Sequence, residues 1–207
     1  MGIARGLAVV VALSAPAHAD VDWAAGQVTA KGLGIADRHA PTPASAREPS
    51  RRAAEDQARA RLAAELPGLP LATGGTLKAK LADAAIKARI DRAVAAAITI
   101  ESTPQTDGSW NVTLAVPIEA VRLALVGPRS PPTGSDSDPP IIVVEGVTAK
   151  PAVGVTIGGV AAAAIWVTDV PAWAASAPRA KATSSKAGAI ELAAKQGGPS
   201  TLFVLAK

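Results

Sequence analysis

No cysteine occurs anywhere in the 207 residues, tyrosine is also absent, and phenylalanine and methionine appear once each. Without cysteine the chain has no disulfide, no thiolate zinc site and no thiol to carry a diacylglyceryl anchor. Histidine occurs only twice, at His18 and His39, which leaves too few imidazoles for a histidine metal centre. Aromatic residues make up 2% of the chain, too few stacking platforms for single-stranded nucleic acid. The formal net charge of +4 is also weak for a polyanion partner, so no nucleic acid is expected. Many of the apolar positions are alanine, which buries little area. The core must therefore come from Val, Ile and Leu at about 25 cal/mol per Å², with Trp23, Trp110, Trp166 and Trp173 as local anchors.

Long apolar runs are missing too: none reaches the roughly 20 residues needed to span a bilayer, so no transmembrane segment is expected. Leu7 to Leu13 is a short one, preceded by Arg5, broken by Ser14 and Pro16, and followed by Ala17-His18-Ala19. A charged start, a short apolar middle and a small-x-small end are the three parts of a secretory signal peptide. Cleavage between Ala19 and Asp20 is expected to remove residues 1–19 and Arg5 with them, leaving a periplasmic or secreted protein without a lipid anchor. About 188 residues then remain, enough for one large domain or two small ones.

Beyond Asp20, Trp23 to Ile35 alternates loosely and reads as a glycine-softened strand. Prolines mark 37–43 as a loop. Ala54, Ala58, Leu62 and Leu66 recur every fourth residue and predict a helix from about Ser45 or Ser50 to Leu66, with its start blurred by Pro49. A second helix is predicted from Leu77 to about Ala95, capped by Thr76 and carrying an Asp83–Lys87 pair. The period then changes to two. Ile98–Ser102 and Trp110–Val116 flank Thr106-Asp107-Gly108-Ser109, a strong hairpin signal, and Ile118–Val126 closes the unit as a short helix. Residues 127–140 hold five prolines and almost nothing apolar, as a linker would. After it, apolar runs at 141–144, 147–157, 163–167, 189–192 and 201–205 read as strands, with a helical turn allowed only near Trp173. The fold class expected is α+β: two helices packed on a small antiparallel sheet in the order β-α-α-β-β (20–126), then a small mainly-β C-terminal domain (141–207).

Four groups of residues carry candidate chemistry. Asp37-Arg38-His39 puts an acid and an imidazole two apart on a loop, the best concentration of reactive groups and also an ordinary solvated loop. Gly32-x-Gly34-x-x-Asp37 follows a strand as a dinucleotide loop does, but its third glycine is missing. Ser135-Asp136-Ser137-Asp138 offers oxygens for calcium without the Gly and distal Glu of an EF-hand loop. Arg47, Arg51, Arg52, Arg59 and Arg61 interleave with Glu48, Glu55, Asp56 and Glu65, the pattern of a salt-bridged solvent face. None earns a place as a catalytic, cofactor-binding or metal-binding residue, and no cofactor is expected.

The stretches "GQVTAKGLGIAD" (26–37), "SRRAAEDQARARLAAEL" (50–66) and "ARIDRAVAAAITIESTPQTDGSWNVTLAVPI" (88–118) together resemble the LPP-type lipoprotein family of bacterial cell envelopes. That family includes flagellar assembly protein P and is similar to the N-terminal domain of flagellar assembly protein T. "GVTAKPAVGVTI" (146–157) looks like the segment that follows this domain in longer relatives. The resemblance covers roughly half the chain and departs from the family in lacking the lipid-bearing cysteine. It implies a small α+β domain and a non-enzymatic envelope role, in envelope or flagellum-related assembly. The expected partner is an envelope protein or a second copy, met by a sheet edge or a helical face. The alternatives are a carbohydrate- or peptidoglycan-binding module that stacks sugars on Trp166 and Trp173, and a secreted enzyme using Asp37 and His39.

Overall fold

The computed structural model describes residues 19–127, 140–186, 188–194, 196–198 and 200–207. The signal peptide expected at 1–19 lies outside them except for Ala19, and the linker expected at 127–140 except for Gly127 and Pro140.

Strands β1 (Asp20–Asp22) and β2 (Gln27–Gly34) open the chain. The strand expected over Trp23–Ile35 thus begins only at Gln27, after a turn at 23–26. Asp22 Oδ1 accepts hydrogen bonds from the Ala24 and Ala25 amides at 3.0 and 2.8 Å, and Gly26 turns the chain back at φ +67°. Helix α1 (Pro43–Glu65) starts earlier than its periodicity indicates, because Thr42 and Ser45 form a capping box and Pro43 suits the first turn. Pro49 is accommodated inside it. Ala54, Ala58, Leu62 and Leu66 are all fully buried, so the four-residue stripe does face the core.

The second helix is two helices. Helix α2 (Leu77–Lys80) stops, and Asp83 caps α3 (Ala84–Ala95) by accepting from the Ala85 and Ile86 amides at 2.8 and 3.2 Å. A carboxylate this close to unpaired amides favours a helix start over a helix interior. The Asp83–Lys87 pair is accordingly replaced by Lys87–Asp91 at 2.6 Å, and Thr76 makes no capping bond. Strands β3 (Ile98–Pro104) and β4 (Trp110–Pro117) form the expected hairpin, with Gly108 at φ +89° and Asp107 Oδ1 accepting from the Ser109 amide at 2.9 Å. Helix α4 (Ile118–Val126) follows Pro117. The four strands make an antiparallel sheet ordered β1-β2-β4-β3. Val28, Ala30, Val112, Leu114 and Val116 point from it into a core shared with α1, α3 and α4.

The second half builds a mixed sheet, ordered β7-β6-β10-β9-β5-β11-β8, from β5 (Ile141–Glu145), β6 (Thr156–Ile157), β7 (Val160–Ala161), β8 (Ala163–Val167), β9 (Arg179–Lys186), β10 (Ala189–Leu192) and β11 (Leu202–Ala206). Its centre is parallel: β11 lies between β5 and β8, and β9 runs parallel to β5. Central parallel strands are covered on both faces, which explains their unbroken apolar runs. Ile142, Val144, Trp166, Phe203 and Leu205 enter one cluster, whereas Val143, Val167, Val204 and Ala206 enter another beneath a 3-10 turn at Ala172–Ala174.

Backbone bonds join the two halves. The Trp166 amide donates to the Trp23 carbonyl at 3.0 Å, and Val153 bridges Pro70 and Ala72 with two bonds of 2.9 Å. Trp23 packs against both large cores, Val153 belongs to the first and Ala72 to the second.

Candidate functional site

Each candidate group has a definite place. Asp37 and His39 are exposed, and the bond between them runs from the His39 backbone amide to Asp37 Oδ1 at 2.8 Å. The carboxylate therefore shapes a turn without engaging the imidazole, and neither residue lines the cleft described below. Gly32 and Gly34 serve packing. A Cβ on Gly32 would lie 1.8 Å from the Ala54 carbonyl oxygen, and one on Gly34 would lie 1.6 Å from that of Ser50. Backbone of β2 and backbone of α1 touch there, where a phosphate would otherwise have to sit. Three of the five α1 arginines form the salt-bridged face their spacing predicts: Arg51 with Glu48 and Glu55, Arg52 with Glu48, Arg59 with Glu55 and Asp56. Hydrogen bonds from Arg51 and Arg52 hold the Glu48 carboxyl below its ordinary value. Residues 135–138 lie outside the described residues.

Trp166 and Trp173 do not form a stacking pair. Trp166 is buried in the core of the mixed sheet, and Trp173 is exposed on the 3-10 turn. Trp166 does reach the floor of an open cleft of about 380 Å³ at the junction of the two halves, lined by Asp20, Asp22, Trp23, Pro151, Thr168 and Lys207 among others.

Outside these groups stands the outer face of the antiparallel sheet. Helix α1 covers only the inner face, the one bearing Gly32 and Gly34. Cross-strand register places Lys31, Thr113 and Glu101 in one row on the outer face, with Leu33, Asn111 and Thr103 in the next. Leu33, Ile35 and Ile98 are 47, 75 and 57% exposed. The Glu101 carboxylate accepts from Thr103 Oγ1 at 3.3 Å and from Thr113 Oγ1 at 3.5 Å, and neither it nor Lys31 joins an ion pair among the described residues.

The free edge of β2 is treated differently. Beyond the short β1, its outward backbone groups meet α1 side chains: Arg61 donates to the Lys31 carbonyl, Gln57 Oε1 accepts from the Leu33 amide at 2.8 Å, and Ser50 Oγ donates to the Ile35 carbonyl at 3.2 Å. The edge is closed from within and the face is left open. Sequence reasoning missed this surface because Leu33 and Ile35 were counted as one loose strand pattern. The usable signal is phase: they alternate with Val28 and Ala30, so they must leave on the opposite side.

No protein-family model matches the chain, and no curated protein does either.

Proposed function

We propose that the protein is an exported, non-enzymatic component of a bacterial cell envelope that works by protein association, and that the outer face of its antiparallel sheet is the contact surface. One observation carries this reading: helices cover β2 and β4 on one side of the sheet, and Leu33, Ile35 and Ile98 are presented to solvent on the other. Exposed aliphatic side chains on an uncovered sheet face are an energetic cost that association relieves, at about 25 cal/mol per Å². The reading of residues 1–19 as a signal peptide supports the location, and the resemblance to LPP-type envelope proteins supports the class. Among the described residues no helix is long and apolar enough to cross a membrane. The test is a photo-cross-linking amino acid at Ile35 in cells expressing the full chain. A discrete cross-linked species is expected from Ile35 and not from Ala60 on the exposed side of α1. Irradiation that yields only uncross-linked protein at both positions sinks the proposal.

A second reading rests on the cleft, where the Asp20 and Asp22 carboxylates stand beside Trp23, as in sites that bind a sugar by stacking and hydrogen bonds. Co-sedimentation with insoluble peptidoglycan, lost in Asp20→Asn, would support it; no co-sedimentation of the unaltered protein rejects it.

A further inference from the structure

Resting on that association reading, we infer that the occupant of the outer face is a second copy of the same chain, packed face to face about a two-fold axis parallel to the strands above β4. The argument is charge complementarity. Lys31 on β2 and Glu101 on β3 are both in register with Thr113 on β4, one from each side. They are the charged members of that row, they lie about 10 Å apart across two strand spacings, and they form no ion pair with each other. A two-fold axis along the strands at Thr113 exchanges the flanking positions. Lys31 of one copy then faces Glu101 of the other twice over, and Thr113 meets its own counterpart. The two Thr hydroxyls on Glu101 already hold its carboxylate over the face. The alternative in-plane axis, across the strands, would set lysine on lysine and glutamate on glutamate, which is repulsive.

The same operation brings Leu33 over Thr103 and Ile98 over Thr29, in the aligned manner of two packed sheets. With the axis above β4, strands β2, β4 and β3 face their counterparts and β1 overhangs, so three strands at about 4.8 Å spacing and up to eight residues long give a face of roughly 400 Å² per copy. The pair therefore buries about 800 Å², below the size of a stable interface, so the dimer is weak and transient.

Analytical ultracentrifugation of the purified chain beginning at Asp20, from low to high micromolar concentration, tests this. A monomer–dimer equilibrium is expected. Lys31→Glu and Glu101→Lys should each weaken it about tenfold or more, and the double exchange should restore it to within about threefold. Because the chain has no cysteine, Thr113→Cys provides a second readout: face-to-face sheets lie about 10 Å apart, too far for a direct disulfide, so a bis-maleimide linker of about that span should join two copies at the axis and should not join them through Arg52→Cys on α1. Circular dichroism checks that each variant is folded. A strict monomer, or a dimer indifferent to both charge exchanges and uncross-linked at Thr113, overturns the inference. A monomer that nonetheless cross-links from Ile35 to a different protein leaves the association reading standing and removes only the second copy.

Discussion

Replacing Gly32 by alanine tests the packing that defines the first half of the fold. The added Cβ would sit 1.8 Å from the Ala54 carbonyl oxygen, 2.8 Å from its carbon and 2.9 Å from the Ala58 nitrogen. Comfortable contact needs about 3.5 Å, so α1 and β2 must separate by roughly 1.5 Å, and a gap of even 1 Å forfeits up to about half of each contact's attraction. The affected contact includes Ala54, Ala58 and Leu62, all fully buried. Overpacking costs about 1–3 kcal/mol where a side chain can yield. Here the obstacle is helix backbone, so the expected loss is about 3 kcal/mol or more, or a fall of about 6–12 °C in Tm for a chain of this size. Thermal melting followed by circular dichroism measures it. Gly68→Ala is the control, since nothing lies within 4 Å of its Cβ position. Ala54→Gly added to Gly32→Ala should not rescue, because the clash is with the carbonyl and not the methyl. A Gly32→Ala protein melting within about 2 °C of the parent would refute the close backbone contact.

Further outcomes follow from the same structure. Gln57→Ala frees the Leu33 amide and should cost about 1 kcal/mol, with faster hydrogen exchange at Leu33 as the direct signature. Arg122 is buried on α4 and paired to Glu119 through Nε at 2.7 Å and Nη2 at 2.6 Å, while its Nη1 has no hydrogen-bond partner among the described residues. Denaturant titration should therefore find Arg122→Met neutral or stabilising and Glu119→Ala destabilising by about 1–3 kcal/mol, since the latter leaves a buried guanidinium unpaired. Glu48 has a lowered pKa, so its contribution is present above the ordinary glutamate range and lost as pH falls through its depressed value. Glu48→Gln should flatten the acid limb of the stability profile, and added salt should do the same in the parent because the pair is exposed.

Much of the first half was legible because its signals are local. The α1 stripe, the Asp107-Gly108 hairpin and the helix after Pro117 each follow from a period or a turn residue within a few positions. The break at Asp83 was not, since an acidic residue at that spacing serves equally as a cap or as half of an ion pair. Strand β9 (Arg179–Lys186) was missed because its sequence, RAKATSSK, is polar, and β5 and β10 alone supply its reason to be extended. The parallel centre of the second sheet was also hidden: an apolar run reads the same in either direction, and only burial on both faces separates the cases. Among the candidate sites, Gly32 and Gly34 stood out for the right physical reason, close backbone approach, but what approaches them is α1.

How the antiparallel sheet treats its borders bears on where a partner would bind. Edge strands invite pairing with other chains unless they are short, bulged, proline-bearing or covered. Strand β1 is three residues long, and the remainder of β2's edge is occupied by Ser50, Gln57 and Arg61 of α1. On the other side β3 is open along its length, but it slips register between Thr99 and Glu101 and ends on Pro104, which has no amide hydrogen to donate. Every border thus carries a device that works against strand addition. The outer face has none: its charged row is balanced, one lysine against one glutamate, and aliphatic side chains lie in the adjacent rows. Partner binding at an edge would have to undo these devices, whereas binding on the face uses what is already exposed. That asymmetry, more than the count of exposed residues, favours the face over the edge as the site of association.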